Sequence, residues 1–224
     1  PSGRAGSSMA CLGGGILCHL STTSPGLAAR LAGAARAAGR RFVCGRVVGS
    51  VGLAESAGLT VLASDDPEAL AACRPVFAAL SARVQALGEA EEAAYLKLVH
   101  SLIVGVYSAM IGEALAFGQK GGLPLAAIVD VLEAGPLGSR QLTLKAPILR
   151  ERRFDAPPSD IDAAAKDVDL ILDAARADRA PLPLTSAVRQ LMAAAQAAGG
   201  GKRDIYAILE TFEDLAGLRR RADA

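Results

Sequence analysis

Lys97 is a cation inside the apolar run Leu96-Lys-Leu-Val-His-Ser-Leu102, where a charge needs a reason. An ammonium among Leu96, Leu98, Val99 and Leu102 is costly to desolvate, so it either snorkels to water or lines a polar cleft. The second case is the chemical one: a desolvated lysine has a lowered pKa and can exchange protons near neutral pH, as an acid/base residue must. Taken alone, the residue fits the solvated reading at least as well. His100 follows three positions later on the same helical face, where it can tune the lysine or touch substrate; simple packing with one satisfied nitrogen is the reading we prefer.

The elements that hold such a lysine fall into two kinds. Over the first ninety or so residues, short apolar runs alternate with helical patterns, which is an α/β signature. Strands are expected at Gly15–Leu20, Arg41–Val48, Leu59–Ala63 and Ala82–Leu87. Helices are expected from Ser24-Pro25 to Ala38, with Gly39 closing the first, and from the Asp65-Asp66-Pro67-Glu68 cap to Leu80. From Glu89 on, only helical periods remain: one long helix to about Gly118, then 125–134, 139–150, 161–177, 185–198 and 204–218. Gly121-Gly122, Pro157-Pro158, Pro181 and Pro183, and Gly199-Gly200-Gly201 punctuate them. The fold class is therefore α/β: a partial Rossmann-like domain over residues 1–88, then an all-α helical domain over 89–224 built on one long interdomain helix.

Composition excludes several classes of function. Lys and Arg total 24 against 23 Asp and Glu, and aromatic residues make up 4%, so nothing marks a nucleic-acid groove. Lys97, His100 and Glu113 interrupt the longest apolar runs, which reads against a membrane span. Cys11, Cys18, Cys44 and Cys73 lack the paired short spacing of a zinc site, and a chain this size needs no disulfide staples. They read as reduced thiols of a cytoplasmic or organellar protein. His19 beside Cys18 reads as a strand edge, and no metal site is expected. Residues 1–10 are small, polar and without acid, and start without Met: a scar, a tail or a truncation point, too short to support a transit peptide.

Five blocks in order resemble the β-hydroxyacid dehydrogenases, the family of 3-hydroxyisobutyrate dehydrogenase, tartronate semialdehyde reductase and glyoxylate/succinic semialdehyde reductase. They are Leu20-Ser-Thr-Thr-Ser-Pro25, Gly49-Ser-Val-Gly-Leu-Ala54, Lys97 within Leu96-Lys-Leu-Val, Lys166-Asp167 and Gly201-Lys-Arg-Asp204. The resemblance implies hydride transfer between a small 2- or 3-hydroxy acid, or the matching semialdehyde, and NAD or NADP, with Lys97 as acid/base. It further implies cofactor contacts at Thr22 and Lys166, and substrate contacts at Gly49, Ser50 and Ser101. In this family the long helix also builds a homodimer interface.

The departures from the family pattern are as informative. Val48 stands where a serine is usual, Ser101 where an asparagine is usual one turn after the lysine, and Cys44-Gly45-Arg46 where Asp-Ala-Pro is usual. Glu91 and Ala93 replace glycines. The Gly-x-Gly-x-x-Gly turn that anchors a dinucleotide pyrophosphate is absent from this sequence; Gly13-Gly14-Gly15 precedes a strand instead of opening a helix. The sheet is then expected to have an unpaired edge, and the cofactor to bind weakly or not at all. Two readings follow: an enzyme seen without its first cofactor-binding half, or a non-catalytic truncated homologue serving as a dimerisation or partner-binding module.

Overall fold

The computed structural model describes residues 9–12, 15–155, 157 and 159–218. The expected tail up to residue 8, Gly13-Gly14 and half of the Pro157-Pro158 break lie outside the described residues. The chain divides into two compact units, residues 1–100 with 173–180, and residues 101–172 with 181–224.

The first unit is a five-stranded sheet in the order β1-β2-β3-β4-β5, with strands Met9–Leu12, Ile16–His19, Arg41–Val48, Leu59–Asp65 and Ser81–Ala86. Strand β2 runs parallel to β3 and β4 parallel to β5, while β3 and β4 are antiparallel. Helix α1 (Pro25–Ala37) makes the first parallel crossover and α3 (Pro67–Leu80) the second. The local signals are the expected ones: Ser24 and Asp66 cap the two helices, each followed by proline at the first helical position.

Both faces of this sheet are covered by helices. Ile16, Cys18, Val43, Val61 and Ala63 pack on Ala69, Cys73 and Phe77 of α3. Phe42, Cys44 and Leu62 on the other face meet Ala28, Ala32 and Ala35 of α1, and Ala93 and Ala94. Burial on both faces explains why these strands read as continuous apolar runs.

The edge expected to be unpaired is covered. β1 pairs antiparallel with β2, Met9 opposite His19 and Leu12 opposite Ile16, in a hairpin whose turn ends at Gly15 with φ +76°. Glycine adopts that conformation at no steric cost. The short helix α2 (Val51–Glu55), capped by Ser50, was likewise not expected.

Helix α4 (Glu92–Lys120) is the long apolar segment, and its first nine residues belong to the first unit. By length and composition it could cross a membrane, contrary to the sequence reading: Lys97 and Glu113 are too few charges to break the run. In the second unit, however, Ala109, Ile111, Leu115 and Ala116 of α4 lie in a helical core. Around them pack α5 (Leu125–Ala134), α6 (Arg140–Glu151), α7 (Ile161–Asp178), α8 (Pro183–Ala197), the short 3-10 turn Ile205–Ala207 and α9 (Ile208–Leu215). Gly112 permits close approach, since a Cβ there would lie 3.3 Å from the Leu209 backbone.

Candidate functional site

In the first unit, the parallel pair β2 and β3 brings two of the sequence-derived blocks to one edge. Ser21-Thr22-Thr23-Ser24 follows the carboxyl end of β2, and Gly49-Ser50 follows that of β3. The carboxyl edge of parallel strands is where α/β sheets take their ligands. Gly49 has φ +149°, a conformation that residues with side chains rarely adopt, and a Cβ there would lie 2.6 Å from Leu59 Cδ2, which would have to shift. Ser50 accepts from Leu53 N–H at 3.4 Å, which occupies its hydroxyl as a helix cap.

Thr22 is half-buried in the turn before α1. Lys97 is also half-buried, one turn beyond Ala93 and Ala94, which anchor the start of α4 on the sheet. Ser64 fixes that start: its Oγ donates to Ala90 O (2.6 Å) and accepts from Ala93 N–H (3.2 Å). His100, expected to pack, is exposed instead.

Arg46 is the residue sequence reasoning missed. It is fully buried in β3 and donates to His19 O (2.9 Å), to Gly45 O (2.5 Å) and to Thr23 Oγ1 (3.1 Å). His19 Nδ1 lies 3.3 Å from its Nη1. The expected strand-edge histidine is thus an interior residue at the end of β2, held neutral because burial and then the Arg46 charge push its pKa down. Burial also pushes the thiols of Cys18, Cys44 and Cys73 up, Cys18 to about 12, so they are protonated and inert at neutral pH. The available signal was a charge inside Phe42-Val-Cys-Gly-Arg-Val-Val48, the same kind that marked Lys97.

The second unit joins two other sequence-derived residues through a third. Ser101 Oγ donates to Asp167 Oδ2 at 3.0 Å, and Lys166 Nζ stands 2.8 Å from Asp167 Oδ1. Lys166 is exposed and Asp167 largely buried, so the carboxylate is a pivot between a half-buried hydroxyl and a solvated ammonium. Adjacency of Lys166 and Asp167 in sequence gave no sign of Ser101. Ser101 has one hydroxyl proton, and Asp167 takes it, leaving lone pairs to face any further partner. Among the described residues no group of three or more His, Cys, Asp or Glu could hold a metal.

Residues 92–212 match the family described as NAD-binding of NADP-dependent 3-hydroxyisobutyrate dehydrogenase, and residues 3–88 match the NAD binding domain of 6-phosphogluconate dehydrogenase. The chain belongs to the β-hydroxyacid dehydrogenase family. L-threonate dehydrogenase of Cupriavidus necator is 30% identical over 214 residues, 95% of this chain and 72% of the relative. 2-(Hydroxymethyl)glutarate dehydrogenase of Eubacterium barkeri is 26% identical over 97% of this chain and 72% of its own length. Among solved structures, 3-hydroxyisobutyrate dehydrogenase from Salmonella typhimurium superposes with a TM-score of 0.80 at 28% identity, covering 87% of this chain and 68% of that one. This β-hydroxyacid dehydrogenase homologue therefore has the expected fold class, a Rossmann-like unit followed by a helical one, and belongs among oxidoreductases dependent on NAD or NADP.

In such an enzyme the nicotinamide group supplies the hydride donor or acceptor, and the protein supplies position and proton transfer. The residues present fit it in part. The β2 and β3 carboxyl edge is present, whereas a Gly-x-Gly-x-x-Gly turn is absent from this sequence.

Proposed function

We propose that the chain carries the substrate side and part of the cofactor side of an NAD(P)-dependent dehydrogenase of a small 2- or 3-hydroxy acid or its semialdehyde. Lys97 holds and returns the hydroxyl proton as acid/base. Gly49 and Ser50 offer backbone N–H groups to the substrate carboxylate, and Ser101 contacts substrate; Thr22 and Lys166 contact NAD or NADP. Residues 1–88 form the cofactor half, and residues 89–224 the substrate and dimerisation domain, of a cytoplasmic or organellar protein. The observation that carries the reading is the Ser101–Asp167–Lys166 linkage, which ties the substrate-side hydroxyl to the cofactor-side lysine through one carboxylate.

The curated relatives named above are both dehydrogenases, and they lend nothing to the non-catalytic alternative. Calorimetric titration with NADH and NADPH separately tests the proposal. Micromolar binding of either, followed by turnover in a hydroxy-acid screen, is expected; a folded sample that binds neither refutes the cofactor half.

The partner we propose is a second copy of the chain, through the helical domain. Ile103, Met110 and Phe117 recur every seven residues on α4 and are 59%, 52% and 81% exposed, a seam suited to a facing helix. Light scattering on Ile103→Glu/Phe117→Glu is expected to give the monomer mass against a dimeric parent. A monomeric parent would refute it.

A further inference from the structure

Ser101 has a single proton to give, and it is already given. Its Oγ donates to Asp167 Oδ2 at 3.0 Å, so toward any further group the hydroxyl can only accept. The asparagine usual at this position carries two N–H donors, enough to serve a carboxylate behind it and still donate to a group in front. Serine gives the contact the opposite polarity. Val48, where a serine is usual, brings no donor to make up for it.

Asp167 keeps the proton where it is. Its Oδ1 is buried and receives no hydrogen bond among the described residues, although Lys166 Nζ lies 2.8 Å away as an ion-pair partner. Were Ser101 to turn its proton elsewhere, Oδ2 would lose its bond too, and a largely buried carboxylate would be left with two poorly satisfied oxygens. The hydroxyl is therefore held with its lone pairs directed away from Asp167. Ser101 stands four residues after Lys97 on α4, and side chains so spaced lie about 5–6 Å apart at Cβ. With Lys97 at the hydroxyl being oxidised, Ser101 meets a substituent on a neighbouring carbon.

We infer that Ser101 and Asp167 together select the substrate: Asp167 holds the Ser101 proton, Ser101 accepts a hydrogen bond, and the group it accepts from is a second hydroxyl, on the carbon beside the one oxidised. The substrate class is a vicinal dihydroxy acid. Asp167 is a positioning residue and does not touch substrate. An ammonium would also donate, but Lys166 already meets the charge of Asp167, and the Lys97 cation one turn away repels a second one. The inference rests on the substrate-side roles proposed above for Lys97 and Ser101.

Calorimetric affinities of the whole chain for four acids test this, in the parent, Ser101→Ala and Asp167→Asn. Glycerate, in both enantiomers, carries a hydroxyl beside the reacting carbon, and 3-hydroxyisobutyrate carries a methyl of similar size there. The methyl ether of glycerate at that same oxygen keeps the acceptor and loses the donor, and serine offers an ammonium. The parent is expected to bind one glycerate enantiomer about tenfold or more tighter than the methyl and ether analogues, because an acceptor left without its donor discriminates strongly. In Ser101→Ala that preference should vanish. In Asp167→Asn, whose amide can donate to Ser101 and free its proton, the gap between glycerate and its ether should narrow. A merely structural Asp167 would weaken all four acids together and leave their ratios unchanged, which overturns its positioning role. Equal affinity of the parent for hydroxyl and methyl, or a glycerate preference that survives in Ser101→Ala, overturns the inference while leaving the dehydrogenase reading intact. Serine bound tighter than glycerate overturns the assignment of a hydroxyl. A folded parent that binds none of the four refutes the substrate side of that reading and the inference with it. If Asp167→Asn does not fold, Ser101→Ala alone decides.

Discussion

Arg152 closes α6 in the left-handed region, φ +53°, and its guanidinium gives Glu213 two hydrogen bonds of 2.8 and 2.6 Å. Glu213 is 3% exposed and accepts a third from Gln119 Nε2 at 2.8 Å. Arg152→Met removes both charged donors while the carboxylate stays buried, and breaking such a pair from one side costs about 3–5 kcal/mol. Because the Arg152 side chain is 35% exposed, water replaces part of what is lost. The expected destabilisation is therefore at the low end, about 3 kcal/mol.

Arg152→Gly removes the same bonds but relieves the left-handed backbone, which costs a non-glycine residue about 1 kcal/mol, so it should be the milder variant by about that amount. The double variant Arg152→Met/Glu213→Met should recover most of the loss, since no charge is left stranded. Urea unfolding followed by far-ultraviolet dichroism reads all three, and with a slope near ~2 kcal/mol per molar the Arg152→Met midpoint falls by about 1.5 M. A loss below about 1 kcal/mol, or Arg152→Gly less stable than Arg152→Met, would refute the argument that a buried carboxylate depends on this arginine.

Lys97→Ala is expected to cut turnover by about 10²–10⁴-fold with the unfolding midpoint unchanged, and steady-state kinetics on a hydroxy acid identified by the screen check it. Gly49→Ala should cost about 1–3 kcal/mol, because it forces a Cβ into the strained region and against Leu59; a thermal melt within a degree of the parent would contradict that. The Cys18 thiol has a folded pKa of about 12 against an unfolded 9.0. Its contribution is whole below pH 9 and lost as pH rises through 9 to 12, at a slope of up to ~1.4 kcal/mol per pH unit. Urea midpoints at pH 8 and 10 should converge in Cys18→Ala relative to the parent. Asp167→Asn, which can donate to Ser101 and free its hydroxyl proton, should change KM for hydroxy acids more than kcat; equal changes in both would contradict a positioning role for Asp167.

Much of the fold was legible because its signals are local. The caps at Ser24 and Asp66, the prolines behind them and the apolar runs of β3 and β4 each lie within a few residues of what they specify. β1 was not legible: Met9–Leu12 is four residues long, and only pairing with β2 makes it a strand. The same limit applies to the candidate site. Gly49 and the Thr22 turn could be placed by element order, whereas Asp167 required knowledge of which faces of α4 and α7 meet.

The sequence by itself determined most of the elements, their order and the family, since periodicity, capping and motif order are properties of neighbouring residues. Tertiary structure alone decided that Arg46 is buried without an anion and that Ser101 spends its proton on a residue 66 positions away. The physical reason is that burial and partnership depend on which side chains packing brings within about 3 Å, and spacing along one chain does not encode that distance.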